Sequence, residues 1–245
     1  MTTSFRRFVG KLREGALLAA VRRRLQWRLR PRHERFLDGA RGVIHVGANV
    51  GQERHTYALC HLPVIWVEPA PETFAILRGN IGSFPAQRAF QCLVTDCDGE
   101  SYDFHIANNG GGSSSIMDLN MHREIWPNVE FSSSIRLQGS TLPSLLRRES
   151  IDPSDFDVLV MDTQGSELMV LRGAESILDN FRYIRTEAAD FDAYSGGCRL
   201  SELTEFLSAR GFSEVHRKEF ASHPAGGRYY DVLFHRATDR GQHRR

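Results

Sequence analysis

The chain has 245 residues, 41% hydrophobic and 25% charged, with a formal net charge of +1. That is enough for one sizeable core in a single domain, the profile of a soluble enzyme, and its longest early apolar run, Ala16 to Val21, is far too short to cross a bilayer. The total conceals a split: residues 1 to 41 carry twelve Arg and Lys against three acids, while the remainder carries nineteen against twenty-seven.

The basic part is an arm. Phe5, Phe8, Val9, Leu12 and Ala16 recur at helical spacing, Leu18, Val21, Leu25 and Leu29 form a second stripe, and arginines fill the gaps. Two readings stand open. The helix packs on its own acidic domain or on a partner subunit of a homo-oligomer, or residues 5–30 lie on an anionic membrane surface, where each basic residue contributes about 1 kcal/mol. Arginines also suit phosphates, but no base-reading module accompanies them, so a nucleic-acid partner is not expected. The same run is too short and too weakly apolar for a secretory leader, which places the protein in the cytoplasm, peripheral to the membrane if the arm lies on lipid.

From Gly42 the pattern changes. Val43-Ile44-His45-Val46 reads as a buried parallel strand that ends in a tight turn carrying Gly47 and Gly51, and Val64-Ile65-Trp66-Val67 reads as a second strand ending at Glu68. Backbone can approach a ligand closely at such a turn, and an acid ending the second strand is placed to accept from ribose hydroxyls. The spacing departs from Gly-x-Gly-x-x-Gly, which argues against a nicotinamide cofactor.

Further strands are predicted near 88–94, 101–106, 157–161, 183–187, 212–217 and 229–235, and helices near 52–61, 71–80, 141–149, 167–179 and 200–210. The alternation predicts an α/β, Rossmann-like, doubly wound sheet. No helix separates the last two strands, so they should close as an antiparallel hairpin. The organisation expected is an arm over 1–41, a domain over 42–236 and a frayed tail over 237–245. Cys60, Cys92, Cys97 and Cys198 have neither paired CxxC spacing nor a Cys/His framework, so they read as reduced structural thiols.

Acids fall where open α/β sheets place their ligands, at the carboxyl ends of strands. Asp162 follows Val158 to Met161, and Glu187 follows Tyr183 to Thr186, with Asp190 three residues on. Two roles are open: a carboxylate takes a proton from an acceptor hydroxyl, or the acids hold Mg²⁺. Asp162 is also placed to cap the helix that follows. The glycine- and serine-rich segment from Ala107 to Ser115 reads as a mobile lid. Beyond it, His122 is a candidate base and Trp126 a face for stacking a sugar.

Four segments together carry a resemblance: His45-Val46-Gly47-Ala48-Asn49-Val50-Gly51, Val67-Glu68-Pro69, Asp96-Cys97-Asp98-Gly99, and Val160 to Ala174 with Asp162-Thr163-Gln164-Gly165-Ser166-Glu167 at its centre. They resemble the FkbM family of S-adenosylmethionine-dependent methyltransferases, from about Gly42 to His235. The chain departs from that family's pattern at His45, where an acid is usual, and at Pro143. The resemblance implies a seven-stranded, mostly parallel sheet with a C-terminal antiparallel hairpin, and S-adenosylmethionine held by His45, Gly47, Asn49, Gly51, Glu68, Pro69, Asp96 and Ser115. It also implies O-methylation of a hydroxyl on a saccharide, glycolipid or secondary metabolite, with Asp162, Glu187 and His122 as catalytic candidates. The basic arm turns the acceptor expectation toward a lipid-linked saccharide. The unusual His45 keeps one alternative open, a non-catalytic binding or scaffold protein that acts through its arm.

Overall fold

The computed structural model describes residues 32–236. The helix expected over 5–30 and the tail from Ala237 lie outside the described residues. The chain divides into two units after Asp38. The described part of the first is a 3-10 helix, Arg32–Leu37, closed where the Asp38 N–H donates to the Arg35 carbonyl at 2.9 Å. Among the described residues no helix is long and apolar enough to cross a membrane.

The second unit begins with β1 (Val43–Val46), α1 (Arg54–Leu59), β2 (Val64–Val67), α2 (Pro71–Ile81), β3 (Gln87–Phe90) and the short β4 (Leu93–Val94). There follow β5 (Ser101–Ala107), β6 (Asp118–Leu119), α3 (His122–Ile125), β7 (Phe131–Ser140) and α4 (Leu142–Arg148). The last part contains β8 (Val158–Met161), α5 (Glu167–Gly173), β9 (Tyr183–Ala189), β10 (Tyr194–Ser195), α6 (Leu200–Ser208), β11 (Phe212–Ser222) and β12 (Arg228–Arg236). Seven strands form one sheet in the order β11-β12-β9-β8-β1-β2-β3. β1, β2, β3, β8 and β9 run parallel, and β12 pairs antiparallel with both β9 and β11. This is the doubly wound sheet with its closing hairpin.

β1, β2 and β8 are buried along their whole length, which is why they read as continuous apolar runs. Alternate residues serve opposite faces. Ile44, Val46, Leu159 and Met161 join Leu145 of α4, Leu171 of α5 and Leu203 of α6 in the main core. His45 and Trp66 occupy the other face with Tyr57 of α1.

Three expectations need correcting. The strand predicted over 88–94 is two: β3 ends at Phe90, and β4 leaves the main sheet to pair with β7. The strand near 101–106 is real but sits outside the main sheet, paired antiparallel with β7 in a separate sheet ordered β4-β7-β5. Its partner went unpredicted because Ser132, Ser133, Ser134 and Gly139 are poor strand formers, and half of that strand is exposed. The helix predicted over 167–179 stops at Gly173 and resumes as a 3-10 helix, Glu175–Asn180.

Gly173 marks a close approach: a Cβ there would lie 2.2 Å from the Thr95 carbonyl oxygen. Pro143, a departure from the family pattern, sits in the first turn of α4, where no helical hydrogen bond is lost, and Thr141 caps that helix by accepting from the Ser144 N–H at 3.3 Å. These packing differences predict opposite outcomes for two glycine substitutions. Gly79→Ala, in α2 with nothing within 4 Å of the new methyl, should stabilise the protein by about 0.5–1 kcal/mol in urea unfolding. Gly173→Ala should destabilise it by about 1–3 kcal/mol.

Candidate active site

The turn after β1 folds back onto the ends of its neighbours. Gly47 has φ +77°, and a Cβ on it would lie 1.8 Å from the Asp162 carbonyl oxygen, so only glycine lets the ends of β1 and β8 come this close. The Gly47 and Ala48 N–H groups both donate to the Val67 carbonyl at 3.0 Å. The next residue, Asn49, is left-handed at φ 44°, and its N–H donates to Glu68 Oε2 at 2.9 Å. Glu68 Oε1 accepts from the Ala70 N–H at 3.0 Å, ahead of the Pro71 start of α2. Burial pushes the Glu68 carboxyl up to about 7, opposed by these two donors. Each of its oxygens keeps a lone pair for a ligand.

These residues form one wall of a cleft that also takes in Pro69, Leu93, Phe104, Ile116 and Asp162. Two buried polar atoms of its lining residues, Asn49 Oδ1 and Thr163 Oγ1, have no hydrogen-bond partner. An unmet buried polar atom costs about 1–3 kcal/mol, so the pair is what a polar ligand would satisfy. S-adenosylmethionine fits this donor set: an acid for the ribose, apolar side chains for the adenine, and Asn49, Thr163 and Asp162 for the ammonium of the amino-acid end.

Of the residues expected on the cofactor, Gly47, Asn49, Glu68 and Pro69 meet at this cleft. The others do not line it. His45 points to the opposite face of β1, where its ring stacks on Trp66 at 4.9 Å and Nδ1 shares a 3.2 Å hydrogen bond with the Tyr57 hydroxyl; burial pushes its pKa down to about 4. Gly51 packs on Leu77 of α2. Asp96 is exposed beyond β4, and its neighbour Asp98 is the structural acid, accepting from the Thr141 N–H at 2.7 Å and the Ser144 hydroxyl at 2.6 Å. Ser115 is a buried staple that donates to the Gln164 carbonyl at 2.8 Å and accepts from the Met117 N–H at 2.9 Å. Gly111, Gly112 and Ser114 reach the cleft instead. The segment expected to be a lid is pinned by Ser113 Oγ, which bonds Asn109 at 2.9 Å and His122 Nε2 at 3.1 Å.

His122 is not placed as a base. It is buried, both ring nitrogens are engaged, with Nδ1 2.7 Å from the Tyr229 hydroxyl, and burial pushes its pKa down to about 4. Trp126 packs on that ring at 4.5 Å.

Asp162 lines the cleft, as expected, but does not cap α5. Glu167 anchors that helix by accepting from the Thr163 N–H at 2.9 Å and the Gly165 N–H at 3.0 Å. Asp162 Oδ1 instead accepts from the Gln164 side-chain amide at 2.5 Å, and the Tyr194 hydroxyl donates to the other end of that amide at 2.5 Å. Glu187 lines a second cavity with Tyr194 and Tyr229, and Gln164 is common to both spaces. Desolvation first pushes both the Asp162 and Glu187 carboxyls upward, with the Glu167 charge adding to it at Asp162 and the Asp162 charge adding to it at Glu187. Sequence reasoning missed the roles of Gln164, Tyr194 and Tyr229. Only Gln164 had a signal, its place before a glycine at the end of β8, and it takes φ 53° there. Among the described residues no group of three or more His, Cys, Asp or Glu side chains could hold a metal, and nothing supports the Mg²⁺ alternative.

Residues 45–214 match the family described as the methyltransferase FkbM domain. No curated protein sequence matches the chain. Among solved structures it is similar to M. capricolum TrmK in complex with S-adenosyl-homocysteine (6% identity, 88% of this chain and 73% of that one, TM-score 0.47). It is also similar to precorrin-6y C5,15-methyltransferase from Geobacter metallireducens (12%, 80% and 79%, 0.45) and to magnesium protoporphyrin IX methyltransferase from Synechocystis with bound SAM (12%, 82% and 72%, 0.41).

The raised carboxyls make the ligand-free fold sensitive to pH. A carboxyl whose pKa is higher folded than unfolded binds more protons in the folded state, so its contribution to stability is lost as pH rises from the ordinary carboxylate range through the shifted value. The unfolding midpoint of the ligand-free protein should therefore fall from about pH 5 upward. In Glu187→Gln the decline should be shallower; an equal slope in wild type and variant contradicts the placement of that carboxyl.

Proposed function

The chain belongs to the FkbM methyltransferase family, and from that premise we propose that its S-adenosylmethionine-dependent methyl transfer ends on a hydroxyl oxygen, with Asp162 as the general base. The observation that carries this is the position of Asp162. It lines the cleft that suits the methyl donor, and the amide of Gln164 joins it to a second cavity where an acceptor can sit.

When bound, S-adenosylmethionine supplies an electrophilic methyl group on a sulfonium. The chain's own residues do the rest. A hydroxyl is a weak nucleophile until its proton has somewhere to go, and a base works best when its pKa lies near the working pH. Burial, with the Glu167 charge adding to it, carries Asp162 out of the ordinary carboxylate range toward neutrality. Gln164 donates to one of its oxygens, fixing the carboxylate's orientation and leaving the other to receive the proton. Glu187, pushed higher, stays protonated where Asp162 is ionised, because two like charges in one desolvated site oppose each other. The larger part of the acceleration comes from alignment of acceptor against donor and exclusion of water, which the apolar Leu93, Phe104 and Ile116 walls support.

The acceptor class follows from the family resemblance: a saccharide, glycolipid or secondary-metabolite hydroxyl, lipid-linked if residues 5–30 lie on an anionic membrane. A cytoplasmic location belongs to the same reading. A scaffold acting through its arm loses its ground, because the His45 departure that favoured it falls outside the cleft.

Asp162→Asn keeps an oxygen to accept from Gln164 and removes the base. It should lower kcat by about two to four powers of ten, remove the acid limb of the pH–rate profile, and leave S-adenosylhomocysteine affinity within about tenfold in calorimetry. Undiminished kcat would remove Asp162 from the reaction.

A further inference from the structure

The second cavity lies between β9, β10 and the turn after β8. Its lining combines the small Ala189, Ala193 and Gly197 with the aromatic Tyr194 and Tyr229. Among the described residues no Lys, Arg or His contributes to its lining. The nearest cation on β9, Arg185, is engaged by Asp231 at 2.7 Å. Two acids do contribute. Glu167 is turned into the start of α5 by its bonds to Thr163 and Gly165, whereas the Glu187 carboxyl makes no hydrogen bond with any described residue. The cavity therefore offers an acidic group, an amide and phenols to a ligand's polar edge, and flat or small walls to its body.

We propose that this cavity is the acceptor site and that it takes an uncharged hydroxylated ring while rejecting acceptors that carry a carboxylate, phosphate or sulfate on that ring. The proposal rests on the hydroxyl-transfer reading above. An anion there would face the Asp162 charge, and among the described residues no cation lines the cavity to offset its desolvation. A neutral ring loses little on entry. Its hydroxyls can exchange hydrogen bonds with Glu187, which burial and the Asp162 and Asp231 charges keep protonated, and with Gln164. Its less polar face meets Tyr194 and Tyr229, whose rings are held in place by His122 at 5.0 and 5.8 Å. Among the described residues Gln164 alone lines both spaces, so an acceptor oxygen beside it is also close to Asp162 and the donor cleft. No bond changes beyond those of the methyl transfer are required: the acceptor oxygen gains the methyl, sulfur keeps the bonding pair, and the hydroxyl proton goes to Asp162.

The test measures methyl transfer from labelled S-adenosylmethionine to matched probes: methyl glucoside against its uronic acid, cyclohexanediol against its carboxylate, catechol against protocatechuate, with glucosamine as the amine. Each is run with the wild type and with Ala193→Trp, which fills the cavity away from the donor cleft; S-adenosylhomocysteine calorimetry verifies that each protein is folded and loaded. If Ala193→Trp does not fold, Ala193→Met takes its place. The expected result is transfer to neutral members at kcat/KM at least about a hundredfold above their acids, lost in the Ala193 variant while S-adenosylhomocysteine binding is unchanged. Comparable transfer to the acids, transfer that survives the Ala193 variant, or no transfer to any neutral ring by a protein that binds S-adenosylhomocysteine overturns the proposal. Transfer to the glucosamine nitrogen alone sinks the hydroxyl reading instead.

Discussion

The contact between Gly47 and the Asp162 carbonyl is the constraint on which the site depends. Any side chain at Gly47 would collide with β8, and the close approach it permits brings the end of β1 within reach of the acid that ends the neighbouring strand. Once β1 turns there, the Asn49 N–H is aimed at Glu68 and one wall of the cleft is formed. Two strand ends and one turn thus supply Glu68, the unpartnered Asn49 oxygen and the proposed base. The apolar core beneath, from Ile44 and Met161 to Leu171, holds these ends in register.

The site's electrostatics share one cause. Glu68, Asp162 and Glu187 are all pushed upward chiefly by desolvation, so the ligand-free protein holds carboxyls in an environment that opposes their charge. A structural domain gains nothing from that arrangement. It has a use where a cationic donor and a hydroxyl acceptor are to meet, since a positive charge in the cleft favours the ionised carboxylate. Gln164 lies at the centre, tied through its carbonyl to Ser115 and through its amide to both Asp162 and Tyr194.

Much of this was legible in the sequence where burial and period agree. Val43–Val46, Val64–Val67 and Val158–Met161 are buried on both faces, and their apolar runs announce it. Glu68 and Asp162 were legible because strand ends are where such sheets bind ligands. His45 was misread for want of strand parity, for its side chain emerges on the face opposite Val46 and packs on Trp66. Ser115 was one residue out, for Ser114 lines the cleft while Ser115 staples Gln164. Tyr194 and Tyr229 lie 35 residues apart on elements that only tertiary folding brings to one cavity, and no local spacing marks them. β7 escaped because its exposed serines carry no strand pattern, although its pairing with β5 and β4 is what builds the second sheet.

The central claim is that the turn after β1 and Glu68 form the donor site. Calorimetric titration of S-adenosylhomocysteine into the wild type and Glu68→Ala tests it directly. Micromolar binding by the wild type, weakened at least about tenfold in the variant, a loss of about 1.4 kcal/mol or more, is the predicted result. Equal affinity in the two proteins, or no binding by folded wild type at millimolar ligand, would contradict it.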